Sequence, residues 1–165
     1  MAAHTRYPVP AGTHRLEEEV RRSRFIATVA RAATVDEATA FVRAVSAEFP
    51  DATHNCWAYV AGAPGSTSRV GMSDDGEPHG TAGRPMLTVL LHSGLGEVAA
   101  VVTRYYGGTK LGTGGLARAY GGTLQDALAT LPRAERMTRV ALEVTVDYGA
   151  ISTVQLLLPA HEGTI

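Results

Sequence analysis

The sequence predicts an α+β fold, and three observations carry the prediction. Strand and helix signals run in the order β, β, α, β, long loop, α, β, glycine loop, α, β, so neighbouring strands mix with strands separated by helices. Hydrophobic residues make up 45% of the chain and charged residues 19%, the balance of a folded domain rather than a disordered one. A length of 165 residues fits one core, or one and a small part of a second.

The elements follow in order. Residues 1–12 hold two prolines among small residues and read as a loose terminus. In the segment Thr13 to Ala33, Phe25, Ala27 and Val29 alternate with Ile26, Thr28 and Ala30, which predicts a strand, the second half of a hairpin. The charge block EEEVRRSR before it reads as a solvated edge. Thr34 followed three residues later by Glu37 forms a capping-box pattern. Ala38, Phe41, Val42, Val45 and Phe49 then recur at helical spacing up to Pro50, giving a helix over 36–49 with Phe41, Val45 and Phe49 in the core. His54 to Val60 reads as a short aromatic strand. Residues 62–80 show no periodicity and are expected to be a loop.

Thr81 onward predicts an apolar helix that tolerates Pro85 in its first turn and stops at Ser93-Gly94. Glu97 to Tyr106 is a β-branched apolar run, expected as a strand buried on both faces. Gly107 to Gly115 reads as a glycine loop, and Leu116, Tyr120, Leu124, Leu128 and Leu131 mark a helix ending at Pro132. Arg139 to Val146 alternates like a strand, and Ala150 to Leu158 begins a helix.

Composition excludes several classes. The net charge of -1 rules out a polycationic nucleic-acid coat, so any RNA contact requires a local basic patch. No run approaches the ~18 apolar residues of a membrane span, and the first residues lack an apolar signal core. Cys56 is the one cysteine, which leaves no internal disulfide and no multi-cysteine zinc site. The expected compartment is the cytoplasm.

Glycine is unevenly spread: of 18 glycines, seven fall between Gly107 and Gly122. Glycine lets backbone N–H groups turn toward one point, and a helix start adds positive potential. Gly107, Gly108, Gly112, Gly114 and Gly115, with Arg104, Lys110 and Arg118, therefore predict anion binding. Tyr105, Tyr106 and Tyr120 lie in the same segment, and Arg84 joins the set if two helix starts meet. Neither a Walker loop nor G-x-G-x-x-G is present. Glycines equally permit close helix–strand packing. Asp74, Asp75 and Glu77 place three carboxylates within four residues, either a solvated acidic turn or ligands for magnesium. His54 and Asn55 open a strand, and His54 either reaches the acidic or glycine loop or only satisfies a backbone group, while Cys56 beside Trp57 reads as a buried, inert thiol.

Taken together these stretches resemble the IMPACT/YigZ family. The matching residues are Arg24-Phe25-Ile26-Ala27, Ala52 to Tyr59, Ser73-Asp74-Asp75-Gly76-Glu77-Pro78 and Gly80-Thr81-Ala82-Gly83-Arg84-Pro85. The longest is Val102 to Gly108, continued by Lys110-Leu111-Gly112, Gly114-Gly115-Leu116 and Arg118-Ala119-Tyr120. The resemblance implies a two-layer α+β domain over 13–136, a mixed sheet with helices on one face. That is the fold of the second domain of a small-subunit ribosomal protein and of domain IV of elongation factor G. It also implies that 137–165 start a ferredoxin-like second domain that these residues are too few to complete. Eukaryotic members of the family regulate translation, competing for the co-activator of a stress kinase, and bind actin; bacterial members are thought to bind nucleic acid or the ribosome.

Two functions are expected from this sequence. The first is a translation-linked module that binds RNA, the ribosome or a protein partner through Gly107–Tyr120 and needs no cofactor. The second is an enzyme acting on a phosphorylated small molecule or nucleotide, with magnesium on Asp74, Asp75 and Glu77. The sequence leaves the oligomeric state open.

Overall fold

The computed structural model describes residues 6–165. Its centre is a five-stranded sheet made of β2 (His14–Val20), β3 (Ser23–Arg31), β4 (His54–Val60), β5 (Val70–Ser73) and β6 (Val98–Tyr105). The strands lie in the order β2-β3-β6-β4-β5, and every neighbouring pair is antiparallel. β6 is the middle strand and is almost wholly buried; Val98 to Val102 are apolar, as a strand covered on both faces requires, and Thr103 and Arg104 are polar.

The α+β class holds, but two details of the expected arrangement do not. The sheet is antiparallel rather than mixed, because each helical crossover joins two parallel strands, β3 to β4 and β5 to β6, that have an antiparallel strand lying between them. Helices also cover both faces rather than one. On the first face, Phe25, Ala27, Val29, Cys56, Ala58, Val60, Ala100 and Val102 pack under α2 (Gly83–His92) and α3 (Gly112–Thr130). On the second, Trp57, Tyr59, Ala99 and Val101 meet Ala38, Phe41, Val42 and Val45 of α1 (Val35–Glu48). The alternation of strand side chains divides the two sets. α1 starts as its sequence predicts: Thr34 Oγ1 accepts from Glu37 N–H at 3.1 Å, and Glu37 reaches back to Ala33 N–H at 2.7 Å.

Four further expectations need correction. Part of the supposedly loose terminus is β1 (Arg6–Pro10), paired antiparallel with β7 (Arg133–Met137); residues 1–5 of that expectation lie outside the described residues. Pro8 and Pro10 are compatible because β1 sits at the edge of a two-stranded ribbon. Val9 is buried, and Glu97 ties the ribbon to the main sheet through Tyr7, Arg31 and Arg136. The stretch 62–80 is not all loop, since β5 lies inside it. α3 begins at Gly112, four residues before the expected Leu116, so Gly112, Gly114 and Gly115 form its first turn. Arg139 to Val146 is not a strand: among the described residues it has no pairing partner, and Val140, Leu142 and Val144 stand 75%, 82% and 67% exposed. α4 (Ile151–Leu157) follows where a helix is expected.

Candidate functional site

The register of the sheet sets the centre of the site. Arg104, near the end of β6, lies between Phe25 of β3 and His54 of β4. Its side chain turns inward. Nη1 donates to Glu77 Oε1 at 2.7 Å, while Nε and Nη2 donate to Ser23 Oγ at 3.3 and 3.2 Å. The Tyr120 hydroxyl donates to the same Glu77 oxygen at 2.7 Å. Tyr120 is fully buried and packs edge-on against Phe25, with ring centroids 5.2 Å apart. Burial, followed by the neighbouring Cys56 and Glu77, pushes its hydroxyl far above the ordinary tyrosine value, so it stays a neutral donor.

The acidic turn folds onto the same cluster. His54 donates through Nδ1 to the Asp75 carbonyl at 2.7 Å, leaving Nε2 at 3.7 Å from Glu77 Oε1. Asp75 adopts φ 40°, accepts from Asn55 N–H at 2.7 Å, and is followed by Gly76 at φ 85°. The Asn55 amide is held by Thr103 and by the Phe49 carbonyl. Asp74 accepts from Gly80, Ala82 and Gly83 N–H at 2.9, 3.1 and 2.8 Å, so its carboxylate caps the start of α2. Burial works to raise the Asp74 carboxyl, but those three N–H donors outweigh it and hold the group below the usual carboxylate range. Cys56 donates to the Asp74 carbonyl, and burial pushes its thiol up to about 12.

This geometry separates the residues singled out from sequence. Arg104, Tyr120, His54, Asn55, Asp74, Asp75 and Glu77 do converge, but on one another, as an internal polar network. Tyr105 points elsewhere, its hydroxyl donating to Asp51 at 2.8 Å. Asp74, Asp75 and Glu77 do not face a common point, and no group of three metal-ligating side chains occurs among the described residues. Arg104 is therefore not available to a phosphate and Tyr120 is not available to stack on a base. Sequence reasoning also missed Ser23 and Thr53. Their bonds, to Arg104 and to Tyr106 N–H, join residues far apart in sequence, and no local pattern signals them.

A second group does remain open to solvent. Lys110, Arg118 and Arg84 are exposed, and Tyr106 is 48% exposed with one face over the Arg104 guanidinium. Arg84 and Arg118 line one cleft between α2 and α3. Gly107 is required by packing, since a Cβ there would collide with the Arg22 backbone, and Gly108 and Gly112 take φ 91° and 73°. Among the described residues, none of the N–H groups from Gly107 to Leu111 donates to a protein acceptor. α3 also lacks a side-chain cap and any acidic residue in its first turn. Arg118 folds back over that turn, where a Cβ on Gly114 would sit 3.3 Å from its Nη1. Arg118 thus stands over a positive helix end, with Glu18 and Asp126 in the cleft that it lines together with Leu111 and Gly115.

These features define an antiparallel α+β domain, sealed at one sheet end by a buried Arg–Glu–Tyr cluster and open at the start of its longest helix. Residues 21–128 match the Impact N-terminal domain. The chain is 46% identical over 157 residues to the IMPACT family member YigZ of Escherichia coli, covering 95% of this chain and 77% of that relative. It is likewise 46% identical over 156 residues to an IMPACT family member of Haemophilus influenzae, covering 94% and 76%. A crystal structure of a hypothetical protein superposes with a TM-score of 0.80 at 45% identity, over 99% of this chain and 79% of that one. The chain belongs to the IMPACT family. Among the described residues no helix is long and apolar enough to cross a membrane.

Proposed function

We propose that this protein is a cytoplasmic, translation-linked regulator that binds RNA, free or in the ribosome, at the start of α3. The observation that supports this reading is the contrast among the three long helices. α1 has Thr34 as its cap, with Asp36 and Glu37 in its first turn. α2 has the Asp74 carboxylate on its first N–H groups. α3 has neither; Arg118 folds over its first turn instead, and the exposed Lys110 precedes it by two residues. A phosphate oxygen supplies the missing acceptor and the missing negative charge. Arg84 extends the positive surface across the cleft, and the exposed Tyr106 ring offers a stacking face.

The magnesium-dependent alternative lacks comparable support. The Asp74 oxygens accept from backbone N–H groups, Glu77 Oε1 accepts from Arg104 and Tyr120, and Asp75 Oδ2 accepts from Asn55.

The test is the salt dependence of binding to a labelled single-stranded RNA, read by fluorescence anisotropy. Removing two phosphate contacts in Lys110→Ala/Arg118→Ala is expected to flatten the slope of log K against log salt by about 1.4. A salt-independent signal, or an unchanged slope in the double variant, overturns the proposal.

A further inference from the structure

α2 and α3 lie side by side, and the seam between them is a groove. Its upper part is a cleft of about 510 Å³ that includes Arg84, Arg118 and Gly122. Its lower part is a cleft of about 400 Å³ that includes His92, Ala129 and Arg133. Thr88, Val89 and Gln125 border both parts, so the two are continuous. The rise along the α3 wall from Ala117 to Ala129 is about 18 Å, at 1.5 Å per residue.

Two properties of the groove restrict its occupant. No Asp or Glu lines either part. Arg84, Arg118 and Arg133 form no ion pair among the described residues, whereas Arg15, Arg24, Arg31, Arg104 and Arg136 each do; Glu18 and Asp126 lie in the neighbouring cleft that Arg118 and Gly122 also border. Arg133 is also held in place, donating to the Leu128 carbonyl at 3.3 Å. The walls between these cations are apolar and small. Val89 and Pro85 stand on one side, Ala117 and Ala129 on the other, and a Cβ on Gly122 would meet nothing within 4 Å. Apolar walls offer nothing to a sugar-phosphate chain, but they fit an apolar helix stripe.

We propose that the α2–α3 groove receives an amphipathic helix from a protein partner, with a stripe of small apolar residues seated along Val89 and Gly122. Acidic residues flanking that stripe pair with Arg84 and Arg118 at one end and with Arg133 at the other. Three or four turns fill the groove at about 5.4 Å per turn. The site is separate from the N–H groups at Gly107–Leu111, and the two share only the Arg84–Arg118 end.

The probe is a labelled helical peptide of about 14 residues, roughly four turns, with Leu and Ala at helical spacing and Glu on its flanks. Controls are its scrambled sequence, the same peptide with Lys for Glu, and an oligouridine RNA. Wild-type protein is expected to bind the acidic helix saturably and neither peptide control. Arg133→Glu is expected to weaken binding about tenfold or more. Gly122→Phe, which fills the groove while leaving the thermal unfolding midpoint intact, is expected to abolish it. Lys110→Ala is expected to leave peptide binding unchanged, which separates this site from the RNA reading. Equal binding of all three peptides, or peptide binding untouched by both groove variants, overturns the proposal. So does loss of oligouridine binding in Gly122→Phe without any binding of the acidic helix.

Discussion

Arg104 and Glu77 form an ion pair at 2.7 Å with side chains only 6% and 3% exposed. The pair links the middle strand of the sheet to the acidic turn, and Tyr120 ties both to α3. Removing one partner leaves an uncompensated charge in the interior. Glu77→Ala or Arg104→Ala is expected to cost about 3–5 kcal/mol in urea unfolding. Tyr120→Phe removes one hydrogen bond to a charged acceptor and is expected to cost about 1.5–3 kcal/mol. A loss below about 1 kcal/mol for Glu77→Ala would place the pair among weak surface interactions.

Asp74 gives a pH dependence of known sign. Its carboxyl lies below the usual range because the N–H donors of Gly80, Gly83 and Ala82 overcome the effect of burial. A group lowered on folding contributes stability above its unfolded value and loses it as pH falls through its folded value. Asp74→Asn is therefore expected to cost about 2 kcal/mol at neutral pH, the scale of a charged cap. The gap to wild type narrows as pH drops through and below the ordinary carboxylate range. Urea midpoints for both proteins across that range check it; a gap that stays constant in acid contradicts it.

Cys56 is buried, and its thiol is pushed up to about 12 by that burial. The thiolate is the reactive form, so the native protein is expected to resist a disulfide reagent at mildly alkaline pH. Rapid, full labelling is expected once urea unfolds the chain. Fast labelling of the folded protein would show that the strand opens at Cys56.

Two glycines in the same segment predict opposite outcomes. A Cβ on Gly107 runs into the Arg22 backbone, which is not the end of a flexible side chain and cannot yield cheaply. Gly107→Ala is expected to destabilise by about 1–3 kcal/mol. Gly122 faces open space inside α3, and Gly122→Ala is expected to stabilise by up to about 1 kcal/mol. Thermal unfolding of the two variants separates packing from helix propensity.

The fold was legible where one period dominates. β4 and β6, with their β-branched and aromatic runs, and α1, with Thr34 and Glu37, lie close to where their residues place them. The missed parts depend on long-range partners. β5 has four residues and exists because β4 pairs with it. Gly112, Gly114 and Gly115 are poor helix formers, yet they are helical because Leu111 and Leu116 anchor the first turn in the core. The alternating Arg139–Val146 segment shows the converse, a strand pattern without a neighbour to bond. The candidate site was half legible. Lys110, Arg118 and the glycines mark the open helix start, but nothing local shows that Arg104 turns toward Glu77, 27 positions away, and Ser23, 81 away.

The most direct measurement is amide-resolved NMR of the protein titrated with single-stranded RNA. Shift changes are expected to concentrate at the Gly107–Gly115 amides, with the same residues responding more weakly to inorganic phosphate. Both responses are expected to shrink in Lys110→Ala/Arg118→Ala. Amides in that segment that stay silent while RNA binds elsewhere, or that do not respond at all, would contradict a phosphate site at the start of α3.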